Sequence, residues 1–269
     1  MTVFSPWRAA LAMLVVLCLQ LGGCGTPSTK DESSNATAER LYKEAREDID
    51  SGTFDRAIKT LERVEGLAAG SLLAQQALLE VAYLHWRSGE RTEALTAIDR
   101  FIKLNPSSPA FDYALYLRGV INFNDNLGLF GAAFGQDVSE RDQAASREAY
   151  QSFKQLSEQF PSSRYAPDAR LRMAHIVNSL ASYEVHVARY YLRRGAYLAA
   201  ATRAQQAVAE YQRSPPVEEA LYILVQSYDK LQLTQLRDDA ERVLRTNFPN
   251  SPFLTDGLGA REKPWWKLW

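Results

Sequence analysis

Only two cysteines occur in the 269 residues, Cys18 and Cys24, and none follows them. A framework of disulfides is therefore excluded as the source of stability. Histidine is almost as scarce, with His85, His175 and His186 alone. No pair of them has HExxH spacing, and no Cys/His set could hold zinc. A phosphate-cradling glycine loop and a nucleophile elbow are missing as well. The acid pairs Asp238-Asp239 and Glu218-Glu219 read as solvated helix faces rather than a catalytic dyad. The expectation is no catalytic residue, no metal and no cofactor. An excess of basic charge is absent too: the formal net charge is −1, which leaves no electrostatic footprint for nucleic acid. Alternating Val/Ile/Thr runs are lacking, so no strand is expected. The longest apolar run, Ala9 to Leu21, is shorter than the roughly 20 residues that span a bilayer as a helix.

That run comes after a single cation, Arg8, and ends in Leu21-Gly22-Gly23-Cys24. A charged start, a short apolar core and small residues before a cut describe a secretory signal; the competing reading is a buried core helix. Leu21-Gly22-Gly23-Cys24 also resembles the bacterial lipobox. The resemblance implies that the Cys24 sulfur receives a diacylglyceryl group, that cleavage removes residues 1–23, and that the new amino terminus is acylated. Two or three acyl chains anchor a protein stably where one does so marginally. Cys18 is then discarded with the signal. Gly25 stands where lipoproteins kept in the inner membrane often have Asp, which favours the outer membrane. The polar stretch after Cys24, GTPSTKDESSNATA, lacks any large apolar residue and reads as a flexible tether over residues 24–37. Its Asn35-Ala36-Thr37 matches a glycosylation sequon, read here as chance.

Beyond it the apolar residues recur at helical spacing. Leu41, Tyr42, Ala45 and Ile49 form one stripe; Phe54, Ala57, Ile58, Leu61 and Val64 form another, with Gly52 between them. This helical hairpin repeats. Leu78, Ala82, Gly89, Ala94, Ile98 and Phe101 restate Leu41, Ala45, Gly52, Ala57, Leu61 and Val64 at a shift of 37 residues. Ala149, Phe153, Leu156 and Pro161 give a third copy, Gly195, Ala200, Ala204 and Ala207 a fourth, and Leu236, Ala240, Val243 and Pro249 a degenerate fifth. A period near 34 with this pattern resembles the tetratricopeptide repeat. The small residues let two helix backbones approach, Gly ends the first helix in a left-handed turn, and Pro stops the second. The expected fold is all-α, a superhelical solenoid of about five tetratricopeptide-like hairpins.

Two units depart from the period. The third carries an insert rich in Gly and aromatics over residues 122–136. The fourth opens on a helix from Pro167 towards Arg194 with no internal Gly or Pro. At 1.5 Å per residue it extends about 40 Å, and is expected to project as a strut.

Taken together, the lipobox, the five units, the insert FNDNLGLFG with RDQAASREAYQSFKQLSEQFPSSRYAPDARLRM after it, and YYLRRGAYLAAATRAQQAV resemble the BamD family. These are tetratricopeptide lipoproteins of the outer-membrane β-barrel assembly machine. The resemblance runs from about Ala38 to Asn250; the closing REKPWWKLW lies outside it. It implies a non-enzymatic scaffold, lipid-anchored on the periplasmic face of the outer membrane. The implied partners are a BamA-like β-barrel subunit, contacted through its periplasmic domain, other lipoproteins of the machine, and unfolded outer-membrane proteins carrying a targeting signal in their last strand. A second reading is a periplasmic repeat adaptor for cell-wall or envelope enzymes. A third, a periplasmic hydrolase, lacks its constellation.

The first helices of stacked repeats line a groove. Aligned on Gly52 and Gly89, groove positions fall on Tyr42, Arg46 and Ile49, then on Leu79, Tyr83 and Trp86 with the adjacent Arg87. If Gly119 is the small packing residue of the third unit, Tyr113, Tyr116 and Phe123 come next. Aromatic faces with scattered guanidiniums suit an extended peptide ending in an aromatic side chain and a carboxylate. The alternative is that these rings are ordinary packing between repeats. Arg193, Arg194 and Arg203 cluster about Gly195 and are expected to meet the barrel subunit, Arg203 first because it matches the family's stretch; the alternative is a solvated charged face. Residues 38–160 thus form the substrate-groove repeats and residues 161–250 the partner-docking repeats. The tail, 251–269, with Trp265, Trp266, Lys267 and Trp269, either docks on a partner or membrane or caps the last repeat.

Overall fold

The computed structural model describes residues 29–123 and 140–258. Cys24, the signal, most of the aromatic insert and the three tail tryptophans lie outside these residues. The described chain is helical, with no strand among the described residues. The helices are α1 (Thr29–Asp50), α2 (Phe54–Leu67), α3 (Leu72–Arg87), α4 (Arg91–Leu104), α5 (Phe111–Asn122), α6 (Glu140–Gln159), α7 (Ala166–Arg193), α8 (Tyr197–Glu210), α9 (Val217–Lys230), α10 (Thr234–Asn247) and the single turn α11 (Phe253–Asp256). They pair as five successive hairpins of the tetratricopeptide kind. The chain divides into two compact units between Ala97 and Ile98, inside α4. In the first unit α2 packs on α1 and α3; in the second, α5 to α10 pack in sequence, with α9 also against α7.

Four of the five hairpin turns are one structure used four times. Gly52 N–H donates to Ile49 O and Thr53 N–H to Asp48 O; the same pair of bonds closes the turns at Gly89, Gly195 and Gln232. The central residue has φ of 77°, 81°, 75° and 59° respectively. This is the Schellman termination, whose left-handed residue is usually Gly. Measured from that residue, the packing positions of the first two hairpins coincide, and Leu41, Ala45, Ala57, Leu61 and Val64 are buried, as are Leu78, Ala82, Ala94, Ile98 and Phe101. Because Gln232 takes the glycine's place, the fifth hairpin sits one residue away from the register expected from Leu236, Ala240 and Val243. Leu236 and Val243 are 45% and 39% exposed, while Leu244 is buried.

The junctions between hairpins repeat as well. Ser71, Ser108, Ser163, Ser214 and Ser251 each donate a backbone N–H three residues back, to Ala68, Asn105, Phe160, Tyr211 and Phe248. The hydroxyls of Ser71, Ser108, Ser163 and Ser251 then accept from a backbone N–H two or three residues on. These serines restart the chain after each second helix by supplying an acceptor to orphan N–H groups.

Two expectations are corrected. The tether does not last to residue 37, because α1 begins at Thr29 and Ala38 is already buried. Lack of large apolar residues does not exclude a helix whose inner face starts on alanine. Nor does α7 project as a strut. It buries Ala169, Ile176, Leu180 and Ala181 in one core with Phe111, Leu115 and Phe153, and Val185 and Ala188 in a second with α8, α9 and α10. Its length serves to join two cores.

Candidate functional site

In the first unit, α1 and α3 bring a polar cluster together around Glu80. Tyr42 Oη donates to Glu80 Oε1 at 2.5 Å and accepts from Gln76 Nε2 at 2.5 Å. Arg46 Nη1 stands 3.4 Å from the same carboxylate oxygen. Burial, then the bond to Glu80, pushes the Tyr42 hydroxyl well above its ordinary pKa, so it remains a donor at neutral pH. Glu80 Oε2 is buried without a hydrogen-bond partner. One helical turn along α3, the Tyr83 and Trp86 rings meet at 5.7 Å, and Arg87 Nη1 lies 3.0 Å from Tyr83 Oη. Tyr83 and Trp86 are half-buried and Arg87 is exposed. Leu79 is 6% exposed; the helix turns it into the core, which removes it from the expected groove surface. His85 Nδ1 pairs with Glu90 at 2.6 Å across the Gly89 turn.

In the second unit, Tyr113, Tyr116 and Phe123 do converge, but onto residues that the spacing had not singled out. Tyr116 stacks on Tyr165 at 4.8 Å, Tyr113 meets Tyr165 at 5.4 Å, and Phe123 lies edge-on to Phe153 and His175. Two guanidiniums flank these rings: Arg164 is 4.8 Å from the Tyr165 centroid and Arg172 is 5.0 Å from that of Phe123. Such cation–π contacts are worth about 0.5–1 kcal/mol at exposed sites. Asp168 ties the two parts together, accepting from Tyr116 Oη at 2.8 Å and Arg172 Nε at 2.6 Å. Burial raises the Tyr116 hydroxyl, and the Asp168 bond raises it further. Burial also works to raise the Asp168 carboxyl, but its bonds to Arg172 and Tyr116 outweigh that and hold it below its ordinary value.

The arginine cluster divides. Arg193 and Arg194 are exposed, with Arg194 over the Tyr190 ring at 5.3 Å. Arg203 points home: its Nη1 is 3.1 Å from Glu184 Oε2, and Glu184 is 3% exposed. A second buried carboxylate, Glu219 of α9, accepts from Arg189 Nε of α7. Buried ion pairs are retained only with good geometry. Neither Glu184 nor Arg189 stood out by type. Alignment on the turn residues would have found Glu184, because it occupies the position of Leu41, Leu78 and Leu221.

Among the described residues no group of His, Cys, Asp and Glu could hold a metal ion, and no helix is long and apolar enough to cross a membrane. What the arrangement offers is surface: aromatic faces beside guanidiniums, and an exposed basic turn.

A family model described as outer membrane lipoprotein (YfiO) matches residues 34–244. The outer membrane protein assembly factor BamD of Neisseria meningitidis serogroup B is 44% identical over 263 residues, covering 96% of this chain and 98% of the relative. BamD of Xylella fastidiosa strain Temecula1 is 35% identical over 253 residues, covering 94% and 86%. BamD of Haemophilus influenzae is 30% identical over 238 residues, covering 88% and 90%. The chain belongs to the BamD family of outer-membrane lipoproteins.

Proposed function

We propose that this protein is a non-enzymatic scaffold of outer-membrane protein assembly, held at the periplasmic face of the outer membrane by acyl chains on Cys24. Family membership carries the role in assembly and the association with the outer membrane. The finer reading is that aromatic–guanidinium surfaces receive the targeting segment of unfolded outer-membrane proteins, while the α7–α8 turn meets the barrel subunit. The observation that carries it is the Tyr83–Trp86–Arg87 group, half-buried rings beside an exposed cation. Such a surface can stack a terminal aromatic side chain and pair a carboxylate. Tyr113, Tyr116 and Phe123 with Arg164 and Arg172 offer the same chemistry on the second unit. The adaptor reading for cell-wall enzymes has no observation of its own.

Site-specific photo-crosslinking tests this in cells. Probes at Tyr83 and Trp86 are expected to capture nascent outer-membrane proteins, and a probe at Arg194 a β-barrel protein with periplasmic domains. Arg194 is the better position than Arg203, whose removal strands a buried carboxylate. Capture of cell-wall enzymes at these positions, with barrel-protein levels unchanged on depletion, would overturn the proposal.

A further inference from the structure

Arg164 stands in a junction that the array makes four other times without a charge. The residue after the junction serine is Leu72, Pro109, Pro215 or Pro252 elsewhere; after Ser163 it is an arginine. The backbone is the same: Ser163 N–H donates to Phe160 O at 3.0 Å, and the Ser163 hydroxyl accepts from Tyr165 N–H at 3.2 Å. Leucine and proline make this turn as well, so the turn does not need the guanidinium. Its charge also has the wrong sign for the place. Arg164 directly precedes Tyr165, the N-cap of α7, where the helix dipole disfavours a cation.

The side chain is nonetheless held in position. Its guanidinium carbon lies over the Tyr165 ring at 4.8 Å, and Tyr165 packs against Tyr113 at 5.4 Å and Tyr116 at 4.8 Å. Ser163 Oγ donates to Asp112 Oδ2 at 2.6 Å, which ties the turn to α5. Contact with a ring occupies the face of a guanidinium and leaves the N–H groups along its edge for an acceptor. Among the described residues no carboxylate takes those of the exposed Arg164. Two acids of the neighbourhood are already engaged. Asp112 holds Ser163 and accepts from Tyr113 N–H at 2.7 Å; Asp168 holds Tyr116 and Arg172. The two guanidiniums beside these rings therefore differ. Arg172 gives its Nε to Asp168, and Arg164 keeps its edge open.

We propose that Arg164 is the carboxylate-binding residue of the second unit. Its fork pairs bidentately with the C-terminal carboxylate of an extended peptide, whose last side chain, an aromatic one, packs on the half-buried Tyr113 and Tyr165 rings. Arg172, reserved by Asp168, is a positioning residue that orders Phe123 and Tyr116. This rests on the reading that aromatic–guanidinium surfaces receive targeting segments, and adds which cation recognises the chain end.

The test uses the full lipidated chain in detergent, with Arg87→Gln to silence the surface of the first unit. The probe is a short fluorescein-labelled peptide ending in phenylalanine, as free acid and as amide, followed by anisotropy. The acid is expected to bind about fivefold more tightly than the amide, the upper end for an exposed ion pair. Adding Arg164→Gln should bring the acid down to the level of the amide, and Arg164→Lys should recover part of the difference, since an ammonium keeps the charge and loses the fork. Arg172→Gln should weaken both peptides by the same factor. The melting curve of Arg164→Gln should be unchanged or raised, because the removed charge opposes α7. Equal affinity for acid and amide in the Arg87→Gln chain, a preference for acid that survives Arg164→Gln, or one that vanishes with Arg172→Gln overturns the inference while peptide binding stands. Failure of either peptide to bind the unsubstituted protein overturns it together with the reading on which it rests.

Discussion

Arg203 and Glu184 form an ion pair, 3.1 Å between Nη1 and Oε2, at positions that the other Schellman-turned hairpins fill without charge. Counted from the turn residue, Glu184 corresponds to Leu41, Leu78 and Leu221, and Arg203 to Thr60, Ala97 and Ala240, all of them buried. A leucine has been exchanged for a carboxylate and a small residue for its counter-ion. Arg203 keeps 42% of its side chain exposed, so the guanidinium can serve a partner while it neutralises Glu184.

Arg203→Ala alone therefore gives an ambiguous result. It strands a buried carboxylate, and the expected cost is about 1–3 kcal/mol. Glu184→Leu with Arg203→Ala restores the leucine–alanine combination of the second and fifth hairpins and should recover that stability, since replacing a buried pair by apolar residues is often neutral or better. Capture of the barrel subunit should stay lost in the double variant. Recovery of capture along with stability would make Arg203 a purely internal counter-ion.

Gly119 of α5 packs directly against the Phe153 ring of α6. A Cβ on Gly119 would come within 2.4 Å of the Phe153 ring. Alanine is ordinarily the better helix residue by about 1 kcal/mol, yet Gly119→Ala is expected to destabilise by about 1–3 kcal/mol through overpacking. Phe153→Leu in the same chain should remove most of that penalty, giving a coupling in a double-mutant cycle by urea denaturation. Additive effects would show that the helices part easily at this contact.

Gln232 holds φ 59° where three other hairpins use glycine. Left-handed backbone costs a non-glycine residue roughly 1–2 kcal/mol. Gln232→Gly should raise stability by about 1 kcal/mol, a rise of about 2–4 °C in Tm for a unit of this size. Gly195→Ala should do the reverse. An unchanged melting curve for both would mean that the turns do not limit unfolding.

Much of the fold was legible because its signals are local and repeated: alanine and leucine at helical spacing, glycine at the turns, proline at the stops. The fifth hairpin was misread by one residue because glutamine in a glycine's place erases the strongest marker. The junction serines went unnoticed because a lone serine carries no periodicity; only their backbone bonds reveal the set. Site residues were legible by type and not by direction. Tyr113, Tyr116 and Phe123 share one neighbourhood with each other, but Tyr165, Asp168 and Arg172, which organise that neighbourhood, come from in and beside α7 some fifty residues later. Leu79 and Tyr83 lie four residues apart on one helix, and a small rotation decides that the first is core and the second surface. Spacing does not fix that rotation; packing does.

Five tyrosines are expected to make the folded protein sensitive to alkali. Burial raises the hydroxyls of Tyr42, Tyr116, Tyr211, Tyr222 and Tyr228 above the ordinary value of 10.0, with Glu80 and Asp168 adding to the first two. The unfolded chain releases these protons near pH 10, while the folded chain holds them to higher pH. Their contribution to stability is thus complete below pH 10 and is lost as pH rises through the folded values. Denaturant midpoints should be level with respect to these groups up to about pH 9.5 and fall steeply above it. Rapid pH-jump absorbance should show a fast tyrosinate fraction from exposed rings, then a slow one that tracks unfolding. Tyr222→Phe should shallow the alkaline fall, because Tyr222 is raised by burial alone. If all thirteen tyrosines ionised together near pH 10 with the helices intact, their hydroxyls would be in contact with water, and the polar cluster around Glu80 would not hold its proton as its 2.5 Å bond to Tyr42 requires.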